Sequence, residues 1–164
     1  METMQQPTVN HSTFNLERSF PASPERVFSA FADPAKKIRW YADGRTMEVE
    51  EFTMDFRVGG QDRTRYRTSP DSPLQGAILR NDTTYLEIQP NRRIVIAYTM
   101  GRETDGENTP FSASLATFEL IPTDAGTDVL FTEQSAFFEG ADGPEIRKIG
   151  WTSLLNKLAA SLAE

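Results

Sequence analysis

From Phe14 to Phe20, apolar and polar side chains alternate: Phe14, Leu16 and Phe20 share one parity, and Asn15, Glu17 and Ser19 share the other. A period of two marks a half-buried strand. The next pattern is helical. Ser23 offers an N-cap oxygen, Pro24 suits the first helical position, and Val27, Phe28 and Phe31 recur at helical spacing. Pro34 restarts the chain into a second short helix through Trp40 and Tyr41. Strands are then expected over 49–57, 61–68, a segment ending at 84–88, 93–100, 111–121 and 127–135. Gly59-Gly60 and Pro90-Asn91 read as turns between them, as does 122–126. The loops are 69–73, rich in Pro, Ser and Asp, and 101–110, which is polar and contains glycine.

Near the C-terminus the period changes again. Ile146, Ile149, Leu154, Leu155, Leu158 and Leu162 fall on one apolar stripe and predict a helix over 144–163. At 1.5 Å per residue that helix is about 30 Å long, the width of a small domain. Gly150 inside it costs about 1 kcal/mol against alanine, so a close approach to the sheet or to a ligand is expected there. The order predicts an α+β chain: a curved antiparallel sheet of about six to seven strands around a long C-terminal helix, with two short helices after the first strand. The gap between sheet and long helix is a natural ligand cavity. Residues 1–164 read as one domain, with 1–7 flexible.

Composition narrows the chemistry. There is no Cys and a single His, which removes disulfides, thiol catalysis, Cys-based metal sites and any mechanism needing two histidines. A net charge of -7 argues against nonspecific binding to nucleic acid or an anionic membrane. No apolar run approaches the roughly 18–20 residues that span a bilayer, and residues 1–10 carry no secretory signal. With no Cys to oxidise, a cytoplasmic location is expected. Asp124, Asp128, Asp142 and Glu145 do not follow calcium-loop spacing, and no helix or Gly-Lys-Ser/Thr follows Gly59-Gly60. Neither a metal nor a cofactor is expected.

Several strings together resemble the START-like (SRPBCC, helix-grip) superfamily. They are Phe20-Pro21-Ala22-Ser23-Pro24-Glu25-Arg26-Val27-Phe28, Asp33-Pro34 with Arg39-Trp40, Arg57-Val58-Gly59-Gly60, and Tyr85-Leu86-Glu87-Ile88-Gln89-Pro90. Arg93-Ile94-Val95, Ser114-Leu115-Ala116-Thr117 with Glu119, and Thr132-Glu133-Gln134 with Ala136-Phe137 complete the set. The branch it is most similar to is named after activators of the ninety-kilodalton heat-shock protein's ATPase. The resemblance implies a helix-grip fold with a deep cavity. It implies no single chemistry, since the superfamily includes lipid carriers, polyketide cyclases, hormone receptors and co-chaperones.

Candidate ligand-binding residues are Trp40, Tyr66, Tyr98, Phe118, Phe131, Glu133 and Trp151. The Tyr hydroxyls and Trp N–H groups would orient a ligand of mixed polarity, with Asp62, Thr64 and Ser112 or Ser114 beside them. Trp40 is expected at the cavity mouth and Trp151 at its roof. Ordinary core is the competing reading for the rings, and for Trp151 a place on the flank or in a homodimer contact. Glu133 is the one weak catalytic candidate, because a carboxylate on the cavity side has a raised pKa. A salt bridge or a solvated strand face is its plainer role. Arg18 shares parity with Leu16, so it is expected to turn inward, to pair with Glu133 or Asp62 or, in the sharper reading, to clamp a ligand carboxylate. Arg63, Arg65 and Arg67 read as a solvated or edge-protecting face rather than a nucleic-acid patch, and His11 as a surface or capping residue. The leading expectation is therefore a binding protein for a small hydrophobic or amphipathic molecule. An enzyme of the cyclase or hydrolase kind using Glu133 is the alternative, and a partner module for a chaperone ATPase the third.

Overall fold

The computed structural model describes residue 5, residues 8–42 and residues 47–164. The segment expected to be flexible, 1–7, lies outside these apart from Gln5, which is exposed. Among the described residues, seven strands and three helices follow one another: β1 (Asn10–Phe20), α1 (Pro24–Ala32), α2 (Pro34–Tyr41), β2 (Glu48–Thr53), β3 (Gln61–Arg67), β4 (Ile78–Gln89), β5 (Arg93–Thr104), β6 (Glu107–Thr123), β7 (Gly126–Phe137) and α3 (Pro144–Leu162). The expected α+β helix-grip architecture is the one observed.

Capping explains the short helices. The Ser23 hydroxyl accepts from the Arg26 amide at 3.2 Å and Asp33 accepts from the Ala35 amide at 2.9 Å, each ahead of a proline at the first helical position. The strands form one antiparallel sheet in the order β1-β7-β6-β5-β4-β3-β2. The two helices carry the chain from one sheet edge to the other, and the meander β2 to β7 returns it to β1. Its inner face carries a row of apolar residues, Leu16, Phe131, Phe118 and Ile94, matched strand to strand. A second matched row, Ser135, Ser114, Tyr98, Thr83 and Asp62, is polar.

Three expectations change. The stretch 101–110 is not a loop: β5 and β6 run through it, joined at Asp105-Gly106, whose φ values of 53° and 81° fit a two-residue hairpin turn. The residues are polar because this end of the hairpin projects past the core. On α3, Ile149 is 69% exposed, while Arg147 and Trp151 sit in the buried stripe with Leu155, Leu158 and Leu162. A charged residue thus holds a position that apolar periodicity assigns to isoleucine. A Cβ at Gly150 would meet nothing within 4 Å, so no close approach to the sheet requires this glycine.

Candidate functional site

Between α3 and the inner face of β3, β4 and β5 lies a partly enclosed cavity of about 270 Å³. Tyr66, Tyr98 and Met100 border it from the sheet, Tyr41 from α2, and Arg147, Gly150, Trp151 and Leu154 from α3. Much of this wall is apolar. Of the residues expected to bind a ligand, Tyr66, Tyr98 and Trp151 come together on it. Trp40, Phe118 and Phe131 do not border it. Trp40 is not at the mouth: it is buried, donates its N–H to the Ala30 carbonyl at 2.9 Å, and packs edge-on against Phe31. Phe131 and Phe118 lie beneath the Trp151 indole, at ring-centre distances of 4.6 and 5.6 Å.

The polar wall is organised by Arg147. Its Nε and Nη2 clasp the two Asp142 oxygens at 2.8 Å each. Nη2 also reaches Ser112 at 2.8 Å, and Nη1 donates to Tyr98 at 3.1 Å and Ser114 at 3.2 Å. These contacts use all five N–H groups of the guanidinium. Burial pulls the Arg147 pKa down, but the surrounding Tyr98, Asp142 and Glu133 hold it above the ordinary arginine value.

Glu133 sits behind this wall, fully buried and outside the cavity lining. Its Oε1 accepts from the Tyr98 hydroxyl and from Trp151 Nε1 at 3.0 Å; the indole N–H is shared with Tyr98 at 3.1 Å. Oε2 has no hydrogen-bond partner among the described residues, and Arg147 Nη1 stands 4.0 Å away. Burial pushes the carboxyl pKa up, against the pull of Tyr98, Arg147, Trp151 and Ser135. The Tyr98 phenol is likewise raised by burial.

Tyr66 differs from its neighbours. No hydrogen bond or ring contact engages it among the described residues, and burial pushes its phenol up to about 12. It therefore presents a neutral O–H to the cavity that can both donate and accept.

A second buried cluster went unread in the sequence. Lys37 Nζ pairs with Asp62 at 2.9 Å and reaches the Tyr85 hydroxyl at 3.1 Å, while Tyr85 donates to the same Asp62 oxygen. Burial lowers the Lys37 pKa, opposed by the attraction of Asp62. Asp62 thus has its cation on α2 and not at Arg18. Arg18, expected to turn inward, is exposed and donates to Asn156 on the outer side of α3 at 2.7 Å. The inward arginine is Arg147, and its signal was its place four residues before Trp151 and eight before Leu155. Arg63, Arg65 and Arg67 form ion pairs across the outer face with Asp82, Glu50 and Glu103, and His11 is exposed. No cluster of His, Asp or Glu among the described residues is arranged to hold a metal, and no helix among them is long and apolar enough to cross a membrane.

A curved antiparallel sheet gripping a C-terminal helix over an interior cavity defines a START-like protein of the helix-grip class. Within that class, the chain belongs to the Activator of Hsp90 ATPase homolog 1-like protein family, whose sequence profile matches residues 21–163. Mll3558 of Rhizobium loti is 44% identical, with a TM-score of 0.79, over 94% of this chain and 99% of that one. An uncharacterised protein of Rhizobium leguminosarum is 32% identical, with a TM-score of 0.83, over 94% and 96% of the two chains. A protein of Silicibacter pomeroyi named for the same family shares the fold at 22% identity and a TM-score of 0.67, over 93% and 98%. No curated protein matches the chain.

Proposed function

We propose that the protein binds one small, flat, uncharged molecule with a single polar group in the cavity under α3. The observation that carries this reading is the Tyr66 hydroxyl, without a partner among the described residues, on a largely apolar wall. Volume sets the size. An engineered cavity of about 150 Å³ in another protein takes benzene, so about 270 Å³ suits roughly ten or eleven non-hydrogen atoms, a two-ring aromatic. At the Arg147 end an anion is disfavoured, because the guanidinium has no spare N–H and an anion would have to displace Asp142. Glu133 stands behind Tyr98, Trp151 and Arg147 and does not border the cavity itself, which supports binding over catalysis by this carboxylate.

The probe is 2-naphthol, neutral and of that size. Calorimetric titration should give a one-to-one complex, with a change in Trp151 emission. A Met100→Trp variant, which fills the cavity from β5, should lose the complex. An absence of binding to the wild-type protein at its solubility limit would refute this reading.

A further inference from the structure

Helix α3 turns two neighbouring ridges inward. One is buried: Arg147, Trp151, Leu155, Leu158 and Leu162. The other is Ile146, Gly150, Leu154 and Lys157, all bordering the cavity at successive turns of the helix. Three of these positions carry long side chains; Gly150 carries none. A glycine in mid-helix costs about 1 kcal/mol relative to alanine. Neither of the usual reasons for accepting that cost applies. Its φ is not positive, and a Cβ there would meet nothing within 4 Å. What the glycine leaves is a notch in the rim, itself exposed, flanked by the half-buried Ile146 and Leu154 and adjacent to the Trp151 indole.

We propose that Gly150 is the portal of the cavity, the gap through which a flat uncharged molecule passes between Ile146 and Leu154 to reach Trp151, Tyr98 and Tyr66. The identity of the passenger rests on the binding reading above; the portal does not. Side chains four apart on a helix stand about 5–6 Å from one another at Cβ, so any bulky residue at position 150 would close the gap without disturbing the core.

Quenching of indole emission by acrylamide tests the portal without any ligand. Trp40 is 1% exposed and bonded to a backbone carbonyl, so it supplies a constant background, and Trp151 is the responsive indole. Gly150→Phe should lower the quenching constant about threefold or more, because a filled gap excludes a molecule of that size. Gly150→Leu should act in the same direction, which covers the case of a Phe variant that folds poorly. Gly150→Ala should quench nearly as wild type and melt at a higher temperature. Ile149→Phe adds the same ring to the outer face, 69% exposed and away from the cavity, and should leave quenching unchanged. Equal quenching in wild type and in both bulky variants would overturn the portal, whatever 2-naphthol does. Loss of quenching in those variants, with no 2-naphthol binding to wild type, would keep the portal and sink the binding reading.

Discussion

The two buried charge clusters use similar parts to different ends. Lys37, Asp62 and Tyr85 balance one cation against one anion, with one hydroxyl between them. Beside them is a void of about 20 Å³, room for roughly one water, and Asp62 Oδ1 has no hydrogen-bond partner among the described residues. Arg147 stands between two carboxylates and gives every N–H to its neighbours, and Glu133 Oε2, like Asp62 Oδ1, has no hydrogen-bond partner among the described residues. Arg147 also walls the 270 Å³ cavity. The first cluster neutralises itself and holds α2 on the sheet. In the second, charge balance depends on whether Glu133 carries a proton, and the network that settles this also fixes Tyr98 and Trp151 at the cavity wall.

If the first cluster is self-contained, breaking it should cost the most stability and touch binding the least. Lys37→Met strands Asp62 in the interior and should lower the unfolding free energy by about 3–5 kcal/mol, read from urea denaturation. Adding Asp62→Leu should recover most of that loss, since an apolar pair of similar volume replaces a buried ion pair at little net cost. A double variant no more stable than the single one would show that Asp62 serves something besides Lys37.

The second cluster should respond to smaller changes. Tyr98→Phe takes a donor from Glu133 and an acceptor from both Arg147 and Trp151, leaving buried polar groups unmatched. A loss of about 1–3 kcal/mol is expected in the same denaturation experiment. Glu133→Gln is expected to act through pH. Burial raises the Glu133 pKa, so the folded state favours its protonated form. The stabilisation from this group is complete below its ordinary value of 4.5 and is lost as pH rises through the folded value. Wild type should therefore lose ground to the Gln variant as pH climbs from that range toward 8, by at most about 1.4 kcal/mol per pH unit. A stability difference independent of pH would mean that Glu133 titrates alike in folded and unfolded chains.

The sequence foretold the sheet, both short helices and the span of α3, because these rest on periodicity and capping. Trp151, expected at the cavity roof, borders the cavity, and its N–H is taken up by Glu133 and Tyr98. Arg147 and Lys37 were missed for one shared reason. Periodicity assigns the inward face to apolar residues, and a charge there is read as solvated unless its partners are known. Those partners, Asp142 and Glu133 aside, lie dozens of residues away: 25 between Lys37 and Asp62, 49 between Arg147 and Tyr98. Gly150 had the opposite problem. The cost of a helical glycine is visible in one dimension, but empty space beside it is a property of three.

The smallest effect belongs to Tyr66, a cavity hydroxyl outside either cluster. Tyr66→Phe removes no hydrogen bond among the described residues, so stability should stay within about 0.5 kcal/mol of wild type. Binding of 2-naphthol should weaken about fivefold, the worth of one hydrogen bond near 1 kcal/mol. Naphthalene supplies the matching control, having the same ring system and no hydroxyl. It should bind wild type and the Phe variant alike, and the mismatch between the two ligands isolates the Tyr66 contact as a double-mutant cycle would. Equal weakening of both ligands would place the effect in ring packing. Tyr66 would then be wall rather than handle, and the polar end of the ligand would have to be met from the Arg147 side of the cavity.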